Sequence, residues 1–555
     1  MSVSAVAARS PAGTATLALL AGCAGATAVA ELALPAVLGA TVDAVVRGTT
    51  SAAPVLWCLA LVAVIAVAEP VRDLAAGTLP AHATGALRRR LVRHALALGP
   101  RRAGATGDVV SRVVGSAADA GQRRVAVVLA ATGAVPVVGA VVALAFLDPW
   151  LVAGYLGGAA VVAVLLHAHV RDTVDAVVRY QRGQADIASR LSEALGGIRT
   201  VAASGTVDVE IERCLRPLPD LSAAGTRTWR VLARSAAQGA LAGPLLQLSV
   251  IAIGGWLLAR GRLTPGALVA AIQYAALGAG LGGVVAGLNR VARARAGGRR
   301  VAELLERPAP RHGTRALPPG PGTLTFSGVS AGEPGRRVLR DITFTVPGGA
   351  TVAVVGRSGA GKSLLAALAA RLAVPDAGEV RLDDVPLGEL SESALRRAIG
   401  VAFERPALVG ATVADAVGLG HDAPDPAAVA AALRAARADG FVARLPRGAD
   451  TPLAETPLSG GEAQRLGLAR AWHGERLLVL DDATSSLDTV TEAEIVRLLT
   501  DGPDRRTHLV VAHRAVTARR CAFVVWLDGG RVRAVGRHDE LWGDARYRAV
   551  FGGTS

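Results

Sequence analysis

The sequence predicts a polytopic α-helical membrane domain followed by an α/β domain with a glycine-rich loop. Three observations carry this prediction. Apolar residues make up 51% of the chain and charged residues only 19%, and the mean hydropathy is +0.40. Long apolar segments fill the first half of the chain. After residue 323 the pattern changes to short strands and helices separated by turns, which is typical of an α/β domain.

Six apolar segments are each long enough to cross a hydrocarbon core of about 30 Å as a helix. They are residues 16–46, 53–80, 125–147, 150–170, 235–259 and 265–289. The first has about 30 residues and would reach about 45 Å, so it projects beyond the bilayer. It is too long for the core of a signal peptide, and we expect it to remain as the first span.

Arginines indicate how these segments are oriented. Those between the second and third segments are Arg88, Arg89, Arg90, Arg93, Arg101, Arg102, Arg112, Arg123 and Arg124, and the connection between the fourth and fifth segments is similarly rich. Positively charged connections remain in the cytoplasm, so we expect a multi-pass protein of the cell membrane with a cytoplasmic α/β domain. The net charge of +15 is explained in the same way, and we expect no nucleic-acid partner.

Composition also places the domain boundaries. Residues 290–306 read as a helix that leaves the membrane, and residues 307–322, RPAPRHGTRALPPGPG, are rich in proline and glycine. We therefore expect a transmembrane domain with six helices at 1–306, a linker at 307–322 and a soluble domain at 323–555. The scattered cysteines, Cys23, Cys58, Cys214 and Cys521, show no metal-site spacing.

The stretch GRSGAGKS predicts a P-loop, in which backbone N–H groups surround phosphates, lysine reaches the terminal ones and the last hydroxyl meets Mg²⁺. Its residues are Gly356, Arg357, Ser358, Gly359, Ala360, Gly361, Lys362 and Ser363. Lys362 is the only lysine in the sequence, although the chain contains 60 lysines and arginines together. A flat guanidinium is wider than an ammonium, so a position that keeps lysine indicates a tight slot. We expect a buried strand at 351–355 and a helix at 364–372.

A second apolar strand, LLVLDD at residues 477–482, ends in two carboxylates. Mg²⁺ prefers oxygen ligands, so an acid at the end of a buried strand beside a P-loop suits this ion. We expect Asp481 to bind the metal together with Ser363. Asp482 can then orient or deprotonate the attacking water.

The stretch LSGGEAQRLGLARAW, residues 458–472, predicts a helix whose first turn contains small residues. The free N–H groups and the dipole of such a terminus bind phosphate. Ser459, Gly460 and Gly461 are therefore candidate nucleotide-binding residues.

These motifs, in this order, make the second half resemble the ATPase domain of ABC transporters. GRSGAGKS corresponds to Walker A, LSGGE to the signature, LLVLDD to Walker B, SSLD at 485–488 to the D-loop and VVAHR at 510–514 to the switch histidine. The first half resembles the six-helix membrane domain of exporter-type half-transporters. Supporting stretches are residues 33–46, 107–113, 191–201 and 259–271.

The resemblance implies a P-loop ABC-type ATPase domain and a dimer of two such chains that encloses two ATP molecules with Mg²⁺. The phosphates of each ATP would lie between the Lys362 loop of one chain and the helix that begins near Ser459 in the other. The resemblance also implies that Asp488 contributes to the nucleotide site and that His513 contacts the terminal phosphate.

Four positions depart from the pattern of the family. Asp482 stands where glutamate is usual, and its shorter reach predicts slow hydrolysis, since general-base catalysis contributes about 10²–10⁴-fold. Glu404 stands where a glutamine is usual, so we expect a carboxylate there to act at the catalytic centre, near Mg²⁺. Glu333 replaces the aromatic residue that stacks on adenine, and Glu462 is the one departure in the signature.

In this family, changes beside the Walker B aspartate mark the degenerate site of heterodimers. We therefore expect a chain that binds ATP with little turnover and pairs with a different half-transporter, with a homodimer as the alternative. The leading interpretation is export of a small molecule, lipid or peptide. Two others stay open: an importer of the siderophore type on the same architecture, and a mainly ATP-binding regulatory subunit.

Few polar residues interrupt the apolar segments. Glu31 and Glu69 are candidates for lining a translocation path, because ionisable groups at membrane depth usually face a cavity. The alternative for Glu69 is a local pair with Arg72 near water. Residues 88–99 and 202–212 correspond to the segments that couple the ATPase domain to the membrane domain in the family.

Overall fold

The computed structural model describes residues 11–48, 52–99, 106–333, 336–420, 425–501 and 505–552. Within them the chain divides into two units. One contains the residues up to Ala95 and those from Thr106 to Arg307, and the other contains residues 96–99 together with the chain from Pro308 onward.

The first unit is helical. Its long helices are α1 (Pro11–Val46), α2 (Ala53–Leu98), α5 (Arg123–Leu147), α6 (Pro149–Gly196), α9 (Leu218–Ala259), α10 (Pro265–Gly278) and α11 (Leu281–Leu305). Its short helices are α3 (Thr106–Ser111), α4 (Ala117–Gly121), α7 (Ile198–Ala203) and α8 (Val207–Leu215), and a π-helical turn at Arg112–Ser116 joins α3 to α4.

Four helical stretches among the described residues are long and apolar enough to cross a membrane: Gly13–Val46, Ala53–Leu98, Thr106–Leu147 and Pro265–Leu305. The fourth and fifth predicted segments lie in α6 and α9, where the described side chains form the shorter apolar stretches Pro149–Val161 and Gly243–Ala259. Helix α2 continues as one helix far beyond the apolar segment from which it starts.

The sixth predicted segment differs in detail, because the helix ends at Gly278 and resumes at Leu281. Glycine is a poor helix former, and this sequence places Gly278, Gly280 and Gly282 close together. The N–H of Gly280 bonds the carbonyl of Leu277 at 3.0 Å, a turn between the two helices.

Helices α1 and α10 approach closely at a pair of glycines. A Cβ added to Gly266 would overlap the carbonyl oxygen of Gly39, so both positions require the absence of a side chain. Beside this contact, Asp43 accepts hydrogen bonds from the N–H of Gly266 at 2.7 Å and from the hydroxyl of Thr264 at 2.6 Å. The Asp43 carboxylate therefore satisfies a free N–H in the first turn of α10.

The second unit contains two sheets. Their strands are β1 (Leu324–Glu333), β2 (Arg336–Val346), β3 (Thr351–Gly356), β4 (Ala377–Leu382), β5 (Val385–Pro386), β6 (Ile399–Phe403), β7 (Leu477–Asp481), β8 (Thr507–Val511), β9 (Phe523–Asp528) and β10 (Arg531–Gly536). The order is β2-β1-β4-β5 in the smaller, antiparallel sheet and β10-β9-β3-β8-β7-β6 in the larger one.

Helices cover the sheets of this unit. They are α12 (Lys362–Ala369), α13 (Glu392–Ala398), α14 (Val413–Val417), α15 (Pro426–Ala435), α16 (Asp439–Val442), α17 (Gly460–Ala471), α18 (Thr489–Asp501), α19 (Ala515–Arg520), α20 (His538–Leu541) and α21 (Ala545–Phe551). The predicted helix at 364–372 thus begins two residues earlier and ends three residues earlier. Arg371, just beyond it, has a φ of 55°, which a helix does not accommodate.

In the larger sheet β6, β7, β8, β3 and β9 are parallel, and only the edge strand β10 is antiparallel. β3 and β8 are buried at every residue, and apart from His508 and Gly356 they consist of apolar and β-branched residues. Because β3, β8 and β7 are neighbours, the segments that follow their carboxyl ends meet at one edge of the sheet, where ligands of α/β proteins usually bind.

The segment predicted as a linker belongs in part to the second unit. Arg315 forms a parallel bridge with Leu390, and its N–H bonds the carbonyl of Glu389 at 3.0 Å. Leu317 packs against the core of the sheet. These contacts fix Arg315 and Leu317 to the second unit, whereas composition alone predicts that they belong to a linker.

Candidate active site

The P-loop joins the carboxyl end of β3 to α12. Gly361 has a φ of 98°, and a Cβ there would lie 2.5 Å from Cδ2 of Leu339. Gly356 is similarly enclosed, since its Cβ would lie 2.5 Å from the carbonyl oxygen of Leu527. These two glycines are thus required both by backbone conformation and by close neighbours.

Lys362 is the first residue of α12, and only 7% of it is exposed. Its ammonium donates to the carbonyl oxygens of Gly356 at 2.9 Å and Arg357 at 3.3 Å, so it lies across the loop. Burial lowers the pKa of Lys362, and the charges of Asp482 and Asp481 oppose that change. The cation is therefore held in a partly desolvated slot that faces two carboxylates.

Asp481 ends β7, beside the Ser363 side chain. Burial raises the pKa of Asp481, and the charges of Asp482 and Glu404 contribute in the same direction. Its Oδ1 is buried and has no hydrogen-bond partner among the described residues. A buried, unpaired carboxylate oxygen beside a hydroxyl fits a divalent cation.

Within the described residues there is no group of three or more His, Cys, Asp or Glu side chains arranged to hold a metal ion. Asp481 and Ser363 are therefore a partial ligand set. Mg²⁺ is usually bound in this way, with one or two protein oxygens and the remaining positions taken by water and substrate phosphates.

Asp482 follows β7 in a left-handed conformation with a φ of 52°. Its carboxylate accepts a hydrogen bond from Nε2–H of His513 at 3.0 Å. His513 follows β8, the neighbour of β7, so the parallel pairing of these strands explains the contact. The structure thus brings together Lys362, Ser363, Asp481, Asp482 and His513.

Glu404 follows β6, on the other side of β7. Its side chain is 56% exposed and lies 3.9 Å from the Arg405 guanidinium. Its backbone is held more firmly than its side chain, because its carbonyl oxygen accepts a 2.7 Å hydrogen bond from Nε2 of Gln464. Glu404 acts on Asp481 through its charge, as the raised pKa of Asp481 reflects.

Gln464 was not singled out from the sequence. It lies on α17, is 2% exposed, and donates to Ser485 Oγ at 2.9 Å as well as to Glu404. Its Oε1 accepts from the N–H of Ser486 at 2.9 Å. One side chain thereby ties the signature helix to the segments that follow β6 and β7. The only signal for Gln464 in the sequence was its amide side chain, which stands among the inward-facing residues of an amphipathic helix.

Glu492, on α18, is a second residue that sequence reasoning missed. This buried carboxylate accepts from the hydroxyls of Thr484 at 3.3 Å and Thr517 at 3.1 Å, and it pairs with Arg514. Thr484 follows Asp482 by two positions, and Arg514 follows His513. Glu492 is therefore a positioning residue that connects the two segments carrying the Asp482–His513 pair.

Ser459 is the N-cap of α17. It accepts from the N–H of Glu462 at 3.3 Å, and the Glu462 carboxylate accepts from the Ser459 N–H at 2.9 Å, which completes a capping box. The hydrogen bond from the Ser459 backbone holds the pKa of Glu462 below its usual range. Among the described residues no hydrogen bond or ion pair joins Ser459, Gly460 or Gly461 to the P-loop.

Asp488 caps α18 by accepting from the N–H groups of Thr491 at 2.9 Å and Val490 at 3.1 Å, and these bonds lower its pKa. Glu333 ends β1, but its side chain lies outside the described residues.

In the first unit the two candidate acids behave differently. Glu31 lines a cavity between helices, whereas Glu69 is 51% exposed and pairs with Arg72 at 3.0 Å. The local pairing that was the alternative for Glu69 is the arrangement found.

Two family models match separate parts of the chain. The model of the ABC transporter transmembrane region matches residues 17–279, and the ABC transporter model matches residues 339–485. The ABC transporter ATP-binding protein RamA of Streptomyces coelicolor is 47% identical over 538 residues, covering 96% of this chain and 84% of that protein.

Two further comparisons support this result. An ATP-dependent lipid A-core flippase of Alkalilimnicola ehrlichii is 35% identical over 413 residues, covering 72% of this chain and 69% of that protein. The solved structure of a bacterial Atm1-family ABC exporter with ATP bound is similar in fold, with a TM-score of 0.78, 24% identity and 98% coverage of each chain.

Proposed function

Because this chain belongs to the ABC transporters, as an exporter-type half-transporter embedded in the membrane, we propose that it binds ATP, hydrolyses it slowly and exports its substrate as half of a heterodimer. The observation that carries this proposal is the pairing of Asp482 with His513 beside the P-loop, at the position of the usual glutamate.

ATP binding depends on Lys362 and the loop around it. The hydrogen bonds from the ammonium to Gly356 and Arg357 keep it at the mouth of the loop. Phosphate oxygens replace these two carbonyl oxygens as acceptors, and charge-assisted hydrogen bonds are stronger than neutral ones. The free N–H groups of the loop and of the first turn of α12 then bind the phosphates, whereas the N–H of Ala360 donates to the carbonyl of Arg357.

Ser363 and Asp481 would hold Mg²⁺, which when bound neutralises charge on the phosphate oxygens. The unpaired Oδ1 of Asp481 supports this assignment. Glu404 adds a third carboxylate at this edge of the sheet, and it contributes to the raised pKa of Asp481. We assign it a direct or water-mediated role at the metal.

Slow hydrolysis follows from the reach of Asp482. A general base must come within about 2.6–3.2 Å of the proton it accepts, directly or through one water. The side chain of Asp482 is one methylene shorter than that of glutamate, and its carboxylate already accepts a hydrogen bond from His513. His513 is therefore assigned two partners, the terminal phosphate and Asp482.

The signature helix supports the need for a second chain. Ser459, Gly460 and Gly461 form an exposed helix N-terminus, and the bonds within the described part of the chain do not connect it to the P-loop. We assign them to the phosphates of the ATP held by the partner. Asp488, at the start of the neighbouring helix α18, belongs to the same dimer surface.

The proposal is tested with the full-length chain in lipid nanodiscs, alone and with a partner half-transporter. Alone, it should bind ATP but release phosphate far more slowly than about 10 s⁻¹, a typical enzyme turnover. Asp482→Glu should raise phosphate release at least tenfold without changing ATP affinity. Asp528→Glu, the same exchange at an exposed strand end, serves as the control.

Two results would contradict the proposal: fast hydrolysis by the unmodified chain alone, or no response to Asp482→Glu. Direction is measured with the heterodimer in inside-out vesicles, where ATP is added outside. An exporter accumulates substrate in the lumen, whereas an importer depletes it. A regulatory subunit would bind ATP tightly and release no phosphate in any pairing.

A further inference from the structure

A cavity of about 320 Å³ lies in the membrane unit, between α1, α2, α5 and the end of α10. Its walls are mainly apolar and include Leu129, Val137 and Leu277. A second cavity of about 120 Å³ adjoins it and shares Glu31 and Leu277 with the first. The larger volume is within the range of small-molecule binding sites.

Two charged side chains, Glu31 and Arg72, line the larger cavity, and they differ in their partners. The Arg72 guanidinium pairs with Glu69 at 3.0 Å and with Asp73 at 3.1 Å. Within the part of the chain that the structure describes, neither an ion pair nor a hydrogen bond reaches the Glu31 carboxylate. The local charge is therefore negative, and among the described residues the charged group of this cavity without an ion-pair partner is an anion.

The hydroxyl groups of the two threonines that line the cavity have no free hydrogen. The hydroxyl of Thr27 donates to the carbonyl of Cys23 at 2.9 Å, and that of Thr132 donates to the carbonyl of Val128 at 2.9 Å. Both oxygens can therefore only accept further hydrogen bonds. Apart from Arg72, the polar lining consists of acceptors, so a complementary ligand must bring donors and positive charge.

We propose that this cavity binds the protonated amine of a transported molecule whose adjoining part is apolar, with Glu31 as its counter-ion. An ammonium supplies three donors and a compact charge. An unpaired carboxylate within a membrane-spanning helix is costly, and a cationic ligand offsets that cost. The apolar walls accept the rest of the molecule. This inference rests on the proposed transport function and names the chemical class of its substrate.

The test uses the full-length chain in phosphatidylcholine nanodiscs and the fluorescent primary amine dansylcadaverine as the probe. N-acetylated dansylcadaverine and dansyl-6-aminohexanoic acid provide neutral and anionic forms of similar size. The unmodified protein should bind the amine at least tenfold more tightly than either analogue, which corresponds to about 1.4 kcal/mol. Equal binding of the acetylated form would overturn the proposal.

Two substitutions should shift the affinity in opposite directions. Glu31→Gln should weaken amine binding at least tenfold, and Arg72→Gln should strengthen it about threefold or more by removing a like charge. A gain of affinity cannot result from misfolding. The Arg72→Gln variant therefore keeps the proposal testable even if Glu31→Gln fails to fold. Glu193→Gln removes a carboxylate that lies outside the cavity and should leave binding unchanged.

The outcomes separate this inference from the function on which it rests. Unchanged amine binding by Glu31→Gln, while the heterodimer still couples ATP hydrolysis to transport, would refute the amine site alone. Absence of ATP-driven transport by the unmodified heterodimer would refute the transport proposal, whatever the probe does.

Discussion

Nε2 of His513 lies 3.0 Å from the carboxylate of Asp482, across the ends of two neighbouring parallel strands. Glu492 contacts residues beside both partners and so holds the two strand ends together. The pair explains how a carboxylate of short reach keeps a defined orientation. It also leads to the first of four predictions.

Replacement of His513 should lower the rate of hydrolysis more than it lowers affinity. In the Asp482→Glu background, where turnover is measurable, His513→Ala should reduce kcat by about 10²-fold, because it removes the hydrogen bond that orients the base. KM for ATP should change less than about threefold. Steady-state phosphate release checks this, with His82→Ala, an exposed histidine on α2, as the control. Comparable losses in the two variants would refute the assignment.

The slot around Lys362 should reject arginine. Lys362→Arg keeps the charge, but its planar group is too wide for a position that is 7% exposed and lies within hydrogen-bond distance of Gly356. Nucleotide affinity should fall more than tenfold, close to the loss in Lys362→Ala. Equilibrium binding of a fluorescent ATP analogue measures this. Arg381→Lys, the reverse exchange at a half-buried strand position away from the P-loop, should have no effect, and a fully functional Lys362→Arg would contradict the tight slot.

Two glycines of the P-loop offer a matched comparison. Gly359 and Gly361 both have positive φ, but only a Cβ at Gly361 would meet another side chain, that of Leu339. Gly359→Ala should cost about 1 kcal/mol through the backbone alone, and Gly361→Ala about 1–3 kcal/mol more through overpacking. Thermal unfolding without nucleotide compares them.

A double variant isolates the clash at Gly361. Leu339→Ala removes the nearest atoms that the new methyl group would meet and leaves Cγ1 of Val338, at 3.3 Å, so Gly361→Ala should be less damaging in that background. Additive effects of the two substitutions would show that the steric contact is not the cause.

Asp481 should reduce the stability of the nucleotide-free protein. Burial raises its pKa in the folded state, so the ionised form carries a penalty above that pKa, and protonation removes it as the pH falls. At neutral pH, Asp481→Asn should therefore melt at a higher temperature than the unmodified protein. It should also lose Mg²⁺-dependent phosphate release.

The pH dependence provides the internal control for this prediction. The difference in melting temperature between Asp481→Asn and the unmodified protein should shrink as the pH is lowered through the raised pKa. A difference that stays constant with pH would mean that packing, rather than charge, explains the effect.

Patterns within single elements were predictable from the sequence. The apolar segments located the long helices, and the glycine and lysine spacing located the loop between β3 and α12, because both signals depend on neighbouring residues in the chain. Errors occurred where local signals are weak. The break at residues 279–280 and the early end of α12 both follow from backbone conformations at helix ends, which spacing alone does not specify.

Contacts between distant residues were not predictable. Gln464 reaches the carbonyl of a residue 60 positions away, and Glu492 bonds three residues from separate segments. The sequence does not show whether a polar side chain of an amphipathic helix is solvated or is buried with its hydrogen bonds made inside the core. The sequence also left open which of Glu31 and Glu69 faces a cavity, because that depends on how distant helices pack.

The amino-acid sequence by itself determined that this chain spans a membrane several times and ends in an ATP-binding α/β domain, since hydrophobic run length and loop chemistry are local properties. Only the tertiary structure decided that Asp482 meets His513 and that, among the described residues, Asp481 keeps one oxygen unpaired and Glu31 faces a cavity without a partner. These relationships arise from strand order and helix packing, which bring together groups far apart in the chain.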